Sequence, residues 1–394
     1  MTRLDGTVAR GFERVRDAFA DAQRDDVGGA QLCIYRRGEV VVDLATGDDR
    51  VNGRPYDRDT LTVLMSCTKA AVAICCHLLA QQGRLQLDAP VMRYWPEFAA
   101  NGKDGITVTH LLTHSAGLMS FDPDSGIEAR DMLDWERCTA ALARMAPLWP
   151  PGSAYMYHFI TYGYLLGEVI RRVTGRTVGA FLADEIARPL SLDLWIGLPE
   201  LEDHRVAPHF RSTDVVDAAT WRARFSGLGL DPTQRLVGAV IHALTTTDGL
   251  IDLMTQRPGR AAEVPAGNGI GNARALAKLY AACIGEVDGL RLLSSETVAR
   301  ASVPQTDGLK GPSPLDVFSG GSPQRFGLGF ELPRDIMPML GEGSFGHPGA
   351  GGRVGFAHPA SGIAVGYACN QLLWDGFTPD PRWSWCAALR EIVL

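Results

Sequence analysis

The stretch LMSCTKAAVAI, residues 64–74, places a serine and a lysine three positions apart in almost wholly apolar surroundings. On a helix such residues share a face, so the amine of Lys69 can reach the hydroxyl of Ser66. Burial disfavours the ammonium form and lowers the lysine pKa, and a neutral amine can take the proton of the serine. The spacing therefore predicts a nucleophile, Ser66, with a general base, Lys69. The alternative is a chance match on a buried helix.

The element that must carry this pair is a helix over residues 66–82, which is apolar nearly all round and is ended by Gly83. Such a helix is expected to be buried. Ser66 falls near its N-terminus, where free backbone N–H groups favour developing negative charge.

The two ends of the chain hold most of the β-rich sequence. An amphipathic helix is expected first, because Leu4, Val8, Phe12, Val15 and Phe19 recur at helical spacing. A hairpin follows, with strands over 31–35 and 40–45. The segments FGLGFEL, GRVGFAHP and GIAVGYACN near the C-terminus also read as strands, and residues 382–394 as a closing helix.

The middle of the chain is dominated by helices and loops. Clear helices are predicted over TYGYLLGEVIRRVTG and GNARALAKLYAACIG, the second with Asn272 as its N-cap, and residues 305–324 are expected to form an exposed loop. This order predicts an α+β fold, with one antiparallel sheet flanked by the terminal helices. We expect residues 1–85 and 265–394 to form the α/β domain and 86–264 a mainly helical domain, with the active site between them.

Composition excludes several classes of protein. The 394 residues are 46% hydrophobic and 21% charged with a net charge of −7, and no Lys/Arg-rich run marks a nucleic-acid or anionic-membrane surface. The sequence holds no run of 18 uncharged apolar residues and no apolar signal-peptide core near residue 1, so we expect no membrane span and a cytoplasmic protein. The eight cysteines form no C-x-x-C pair and read as core residues in a reducing compartment.

Four stretches in order resemble the serine β-lactamase/penicillin-binding-protein superfamily. They are LTVLMSCTKAAVAICCHLLAQQGRLQLDAPVMRYWPEF, HLLTHSAGL, PGSAYMYHFITYGYLLGEVI and FGHPGAGG. The nearest resemblance is to class C β-lactamases and to the β-lactamase-like family VIII carboxylesterases. It implies an α/β domain and a helical domain with the site between them, in agreement with the element order.

The resemblance implies a second base, a tyrosine that aligns with Tyr157. Tyr155 and Tyr162 in the same stretch are rivals for this position. A tyrosine hydroxyl beside Lys69 is expected to lose or share its proton readily and to relay it to the leaving group. Phe159 stands where the β-lactamases have an asparagine that holds the substrate amide, and this departure favours the esterases.

The last of the four stretches is similar to the Lys-Thr-Gly strand of β-lactamases and reads His347-Pro348-Gly349 in its place. Gly349 would let the strand approach the substrate, and the N–H of Ala350 with that of Ser66 would form the oxyanion hole. We expect His347 to line the substrate pocket, although a strand-end histidine without a role is the alternative. Arg353 is near enough in sequence to replace the missing lysine as a carboxylate clamp.

Other motifs are set aside. His110 and His114 are four residues apart, but no third ligand has metal-site spacing, so no metal is expected. The THSAG sequence lacks the first glycine and the leading strand of a nucleophile elbow, so Ser115 is rejected as a nucleophile. The GNGIG sequence at 267–271 lacks dinucleotide-binding spacing and reads as a loop.

The resulting expectation is a serine carboxylesterase that cleaves small, short-acyl esters through a Ser66 acyl-enzyme. A β-lactamase or D-alanyl-peptidase, an acyltransferase on the same fold, and a catalytically idle scaffold are the alternatives. No metal or organic cofactor is expected, and the only expected partner is a small-molecule ester, with no nucleic acid and no membrane. Assembly into a homo-oligomer is left open.

Overall fold

The computed structural model describes residues 4–211, 214–316, 323–373 and 378–394. Its strands are β1 (Leu4–Val8), β2 (Gly29–Arg36), β3 (Glu39–Asp49), β4 (Arg54–Pro55), β5 (Thr62–Val63), β6 (Leu194–Trp195), β7 (Phe210–Arg211), β8 (Ile270–Gly271), β9 (Phe345–Gly349), β10 (Arg353–His358), β11 (Ile363–Cys369) and β12 (Gln371–Leu372).

The α-helices are α1 (Glu13–Ala22), α2 (Cys67–Gln81), α3 (Val108–Leu112), α4 (Trp135–Arg144), α5 (Thr161–Thr174), α6 (Val178–Leu182), α7 (Ala218–Gly227), α8 (Arg235–Leu253), α9 (Arg257–Ala261), α10 (Ala273–Ile284), α11 (Ser295–Ala301) and α12 (Ser384–Val393). Helix α6 continues as a π-helical turn over Ala183–Ala187. Short 3₁₀ turns occupy Val91–Arg93, Pro96–Ala99, Pro123–Ser125, Asp131–Leu133, Glu200–Arg205 and Pro381–Trp383.

The two ends of the chain meet in one antiparallel sheet. Its strand order is β1-β3-β2-β11-β10-β9, and β4 pairs with the end of β3. The junction between the N- and C-terminal halves is the β2–β11 pair, in which Ile34 faces Val365. The predicted α+β fold with a sheet built from both ends is therefore confirmed.

The apolar spacing predicted a helix from the first residues, but this part of the prediction is wrong. Residues 4–8 form the edge strand β1, and the helix begins only at Glu13. Glycine, threonine and valine in LDGTV are poor helix formers. Gly6, with a φ of +125°, also lies so close to β3 that a Cβ atom would sit 1.9 Å from the carbonyl oxygen of Asp43.

The FGLGFEL segment is not a strand either. It makes only isolated bridges, between Phe326 and Glu331 and between Glu331 and Gly346. Gly329 has a φ of +87°, and a Cβ atom there would lie 2.5 Å from that of Ala73, so the segment bends against α2. Residues 317–322 of the predicted 305–324 loop lie outside the described residues.

Both faces of the sheet are covered. Helices α1 and α12 pack together over one face, where Phe19, Tyr367 and Trp385 belong to one apolar cluster. Helix α10 covers the other face and begins at Asn272, whose side chain accepts the N–H of Ala275 as predicted for an N-cap. Helix α2 contacts α5, α6 and strand β9, so it lies between the sheet and the helical part of the chain. The exact domain boundaries stay a prediction.

Helix α8 is long and apolar enough to cross a membrane by length and composition alone, with a mean hydropathy of 1.3 in its most apolar window. Eight of its residues are buried, and it packs on α7 and on the turn at Pro123–Ser125. A core helix of a soluble protein satisfies the same test, so the expectation of no membrane span stays a prediction. All eight cysteines are described and none forms a disulfide; seven are buried.

Candidate active site

Ser66 occupies the turn between β5 and α2 and is the N-cap of the helix. The turn is tight: Met65, directly before it, adopts a φ of +51°, and the N–H of Leu64 donates to the carbonyl of Gly269 at 2.7 Å. A methionine in the left-handed region is strained, and such strain is typical of functional turns. Ser66 is only half-buried, whereas Cys67 and Lys69 after it are buried. Part of Ser66 therefore stays accessible to solvent at this turn.

Lys69 is 1% exposed, and its Nζ lies 3.2 Å from Ser66 Oγ. It also donates to the carbonyl oxygen of Ala266 at 2.9 Å. Burial lowers the pKa of the amine well below its usual value of 10.5, and the nearby Cys67 opposes this only weakly. Within the described residues no carboxylate forms an ion pair with Lys69. The predicted pairing of the two side chains is observed.

Ala266, whose carbonyl accepts from Lys69, directly precedes the GNGIG sequence at 267–271, which was predicted to be a loop. The side chain of Asn268 fixes it, because its oxygen accepts the N–H of Val264 and its amide donates to the carbonyls of Gly259 and Ala262. The N–H of Gly269 donates to Thr68 Oγ1 at 2.8 Å. The segment 264–269 is thus a fixed wall that orients the lysine amine.

Of the three candidate tyrosines, the structure brings Tyr157 to the pair. Lys69 Nζ lies 4.7 Å from its ring centroid, and a hydrogen-bonding interaction with the Ser66 side chain lowers the pKa of its hydroxyl. Tyr155 instead donates to the carbonyl of Gln324 at 2.6 Å. Tyr162 is 1% exposed, and its hydroxyl has no partner within the described residues.

The electrostatics of Tyr157 differ from the expectation of an easily lost proton. Burial raises the pKa of its hydroxyl, and the hydrogen bond from Ser66 offsets this only in part. The buried Lys69 amine does not offset this rise, and burial disfavours its own charged form. Lys69 is therefore the better base, and Tyr157 the better proton donor.

His114 and His158 hold the tyrosine in place. The N–H of His158 donates to Nδ1 of His114 at 3.0 Å, and the N–H of Met156 donates to the carbonyl of His114 at 3.1 Å. The backbone on both sides of Tyr157 is thereby fixed to one residue, whose ring also lies 4.9 Å from that of Tyr157. His110 has a separate role, because its Nδ1 accepts the N–H of Thr107 in a capping box.

Strand β9 runs beside the serine turn. Its Gly349 lies so close that a Cβ atom would be 2.5 Å from the carbonyl oxygen of Leu64, and Cys67 Sγ donates to the carbonyl of His347. The next residue, Ala350, is exposed. Within the described residues, the backbone N–H groups of Ser66 and Ala350 donate to no acceptor. Two free donors therefore lie at the position where the sequence predicts an oxyanion hole.

Replacing Gly349 by alanine is expected to reduce kcat about 10-fold or more, because the new Cβ must push the strand, and with it the Ala350 N–H, away from the Ser66 turn. Steady-state kinetics with p-nitrophenyl butyrate measure this. Gly105→Ala is the control, since a Cβ atom there meets nothing within 4 Å. A Gly349→Ala enzyme with wild-type kcat would show that the close approach does not matter.

His347 is 2% exposed and neutral. Its Nδ1 donates to the carbonyl of Pro348 at 2.6 Å, so Nε2 is an acceptor, and this atom is buried without a partner in the described part of the chain. Burial lowers the pKa of the imidazole to about 3, with Lys69 acting in the same direction. The ring lies 5.9 Å from that of Tyr157. His347 therefore lines the site, as predicted, with an uncharged acceptor.

Arg353 does not replace the missing lysine. It is fully buried, and its guanidinium donates inward, to the carbonyls of Val63 at 3.1 Å and Ala350 at 3.0 Å. The expectation that it clamps a substrate carboxylate finds no support in this geometry. Phe159 lies 5.6 Å from the ring of Tyr157 and packs against two apolar clusters, so this wall of the site is apolar.

Because catalysis through Lys69 needs the free amine, kcat/KM is expected to rise with pH through the lowered pKa of Lys69 and to stay level until Tyr157 ionises at high pH. The histidines do not contribute this limb, since burial lowers the pKa of both His158 and His347 to about 3. A pH–rate profile of His347→Asn should keep the wild-type midpoint. A midpoint that disappears with the histidine would contradict this assignment.

Fold and site together define a β-lactamase-like protein with a serine–lysine pair at the start of a buried helix. A family model described as Beta-lactamase matches residues 15–388. The chain is 33% identical over 335 residues to Esterase/beta-lactamase LipL of Mycobacterium tuberculosis. The aligned region covers 83% of this chain and 73% of LipL. The chain therefore belongs to the Beta-lactamase family.

Two solved structures are similar over nearly the whole chain. A family VIII carboxylesterase has a TM-score of 0.79 and 34% identity, with 99% of each chain covered. EstA from Arthrobacter nitroguajacolicus Rue61a has a TM-score of 0.82 and 31% identity, covering 100% of this chain and 98% of that one. The resemblance inferred from the four sequence stretches is confirmed.

Within the described residues, no group of three or more His, Cys, Asp or Glu side chains is arranged to hold a metal ion. His110 and His114 in particular each bind a different backbone N–H.

Proposed function

We propose that this protein is a serine carboxylesterase that works through an acyl-enzyme on Ser66. The observation that carries the proposal is the 3.2 Å contact between Lys69 Nζ and Ser66 Oγ, with an amine whose pKa burial lowers. A neutral amine at this distance is a general base that is already in place. The relatives named as esterases, LipL and the family VIII carboxylesterase, support the same reaction.

In the acylation step, Ser66 Oγ attacks the ester carbonyl carbon while its proton passes to Lys69 Nζ. The carbonyl oxygen becomes an oxyanion, and the free N–H groups of Ser66 and Ala350 would hold it. The tetrahedral intermediate then collapses and the C–O bond to the alcohol breaks.

Tyr157 completes the proton path. Its hydroxyl, protonated because its pKa is raised, donates to the leaving alkoxide and regains a proton from the Lys69 ammonium. Lys69 is then neutral again and can activate the water that hydrolyses the acyl-enzyme. The path needs only groups of this chain.

The charge of the site favours neutral substrates. Burial disfavours the charged forms of Lys69 and His347, and Arg353 faces inward, so the site provides no exposed basic side chain among these three to pair with a substrate carboxylate. Phe159 adds an apolar surface beside Tyr157. We therefore favour small neutral esters with short acyl chains over anionic β-lactams.

The proposal is tested by treating the protein with a fluorophosphonate and locating the added mass by peptide mapping, alongside hydrolysis of p-nitrophenyl acetate, butyrate and octanoate. We expect the label on Ser66 and faster turnover of the two short esters. A label on another residue would contradict the mechanism. Faster turnover of the chromogenic lactam nitrocefin than of any ester would instead favour a β-lactamase, and product transfer to added alcohol an acyltransferase.

A further inference from the structure

The loop that carries one oxyanion donor has a sequence that should make it flexible. Residues 350–352, Ala-Gly-Gly, join β9 to β10, and Gly351 and Gly352 adopt φ values of +80° and +108°. Glycines lose more conformational freedom on ordering than other residues. An N–H group on such a loop can stabilise an oxyanion only if something else fixes the loop.

A side chain holds each of the three carbonyls of this loop. Arg353 Nη1 donates to the carbonyl of Ala350 at 3.0 Å, and Arg382 Nη2 donates to that of Gly351. The indole N–H of Trp383 donates to that of Gly352 at 2.8 Å. The loop is therefore fixed from behind, while the N–H of Ala350 is left free.

The groups that hold the loop are themselves anchored. Arg353 is fully buried, and its Nε donates to the carbonyl of Val63, three residues before Ser66. Arg382 is 3% exposed and forms a two-point ion pair with Asp380. Arg353 thus ties the two backbone segments that supply the oxyanion donors to one rigid, planar group.

Close packing explains why two of the three loop residues are glycines. A Cβ atom on Gly351 would lie 2.5 Å from Arg353 Nη1, and one on Gly352 would lie 2.0 Å from Arg382 Nη2. The arginines can reach the carbonyls only because these two residues have no side chain. The glycines and the two arginines are therefore parts of one arrangement.

We propose that Arg353 is a positioning residue for the oxyanion hole, assisted by Arg382 and Trp383. Together these three side chains hold the Ala350 N–H in the orientation needed in the transition state. This inference rests on the proposed function. It assigns to Arg353 a role in kcat without contact with the substrate.

Arg353→Met is the main test. Within residues 4–211, 214–316, 323–373 and 378–394, Arg353 forms no ion pair with a carboxylate, so methionine removes the donors without leaving an unpaired buried charge. We expect kcat for p-nitrophenyl butyrate to fall about 10- to 50-fold with KM nearly unchanged, because an interaction made only in the transition state is weakened. The rate of Ser66 phosphonylation, which also develops an oxyanion, should fall by a similar factor.

Trp383→Phe is the second variant and removes a single donor at a half-buried position. We expect a smaller fall in kcat, about 3- to 10-fold, again without a change in KM. Trp135→Phe is the matched control, because its indole donates to Glu168 in the helical region, and it should leave kcat unchanged. Thermal unfolding verifies that each variant is folded.

The outcomes separate the two proposals. Suppose that the wild type is labelled on Ser66 and that both variants fold. If Arg353→Met and Trp383→Phe are then labelled and turn over esters at wild-type rates, the positioning role alone is overturned. If Arg353→Met does not fold, an unchanged kcat in Trp383→Phe overturns it. A wild-type protein with no label on Ser66 overturns the proposed esterase mechanism, and the positioning role with it.

Discussion

Ser66→Ala is expected to lower kcat/KM for p-nitrophenyl esters by about 10⁴-fold or more, because it removes the hydroxyl that contacts the Lys69 amine. The fold should be unaffected, since Ser66 is only half-buried and its side chain makes no helix-capping hydrogen bond. Steady-state hydrolysis and thermal unfolding of the variant measure the two effects. The fluorophosphonate label should disappear with the activity.

Ser115→Ala is the matched control for this result. Ser115 lies in the THSAG sequence that superficially resembles a nucleophile elbow, but its hydroxyl is buried and bonded to Thr113 Oγ1 at 2.9 Å. The Ser115→Ala enzyme should keep wild-type activity within a few-fold. Full activity in Ser66→Ala, or loss of the label only in Ser115→Ala, would show that the wrong serine was chosen.

The serine–lysine pair could be predicted because its geometry is local. Two residues three apart on a helix must share a face, whatever the rest of the fold does. The apolar sequence around them also predicted the burial that lowers the pKa of Lys69. The antiparallel sheet followed from the same kind of local pattern, since β-rich runs at both ends of the chain had to pair.

The partners of the pair could not be derived in this way. The carbonyl that orients Lys69 belongs to Ala266, 197 residues away in a segment without a recognisable motif. Tyr157 came from family resemblance, and only the fold separated it from Tyr155 and Tyr162. The sequence places Arg353 close to Gly349, but the distance along the chain does not reveal that its side chain points inward.

The two incorrect strand and helix assignments share a physical cause. In both LDGTV and FGLGFEL, glycines allow close backbone contact that hydrophobic spacing does not reveal. Leu4 and Val8 are spaced as on a helix, yet Gly6 allows the segment to pair with β3. The apolar spacing of FGLGFEL resembles a strand, yet Gly329 bends it against α2.

Lys69→Met is expected to lower kcat about 10³-fold, because the general base is lost while the nucleophile remains. Stability should change little, since the amine makes one hydrogen bond to a carbonyl and its burial is unfavourable.

The lowered pKa of Lys69 also makes the stability of the wild type depend on pH. At pH values between the pKa of Lys69 in the folded protein and its usual value of 10.5, the unfolded chain binds a proton that the folded protein does not. The free energy of unfolding of the wild type therefore increases with pH in this range. The melting temperature of the wild type should therefore rise relative to that of Lys69→Met as the pH is raised from neutral to about 9.

Lys103→Met separates loss of the base from loss of a buried lysine in general. Lys103 is also fully buried, but it donates to three carbonyls, those of Ala100, Ala143 and Met145. Removing it leaves the two buried acceptors of Ala143 and Met145 unpaired, at a cost of about 2 kcal/mol or more in the free energy of unfolding. We expect Lys103→Met to melt several degrees lower with kcat of the folded enzyme unchanged, the opposite of Lys69→Met. If both variants lost stability and kept kcat, the lysine at position 69 would be a structural residue and another group would have to activate Ser66.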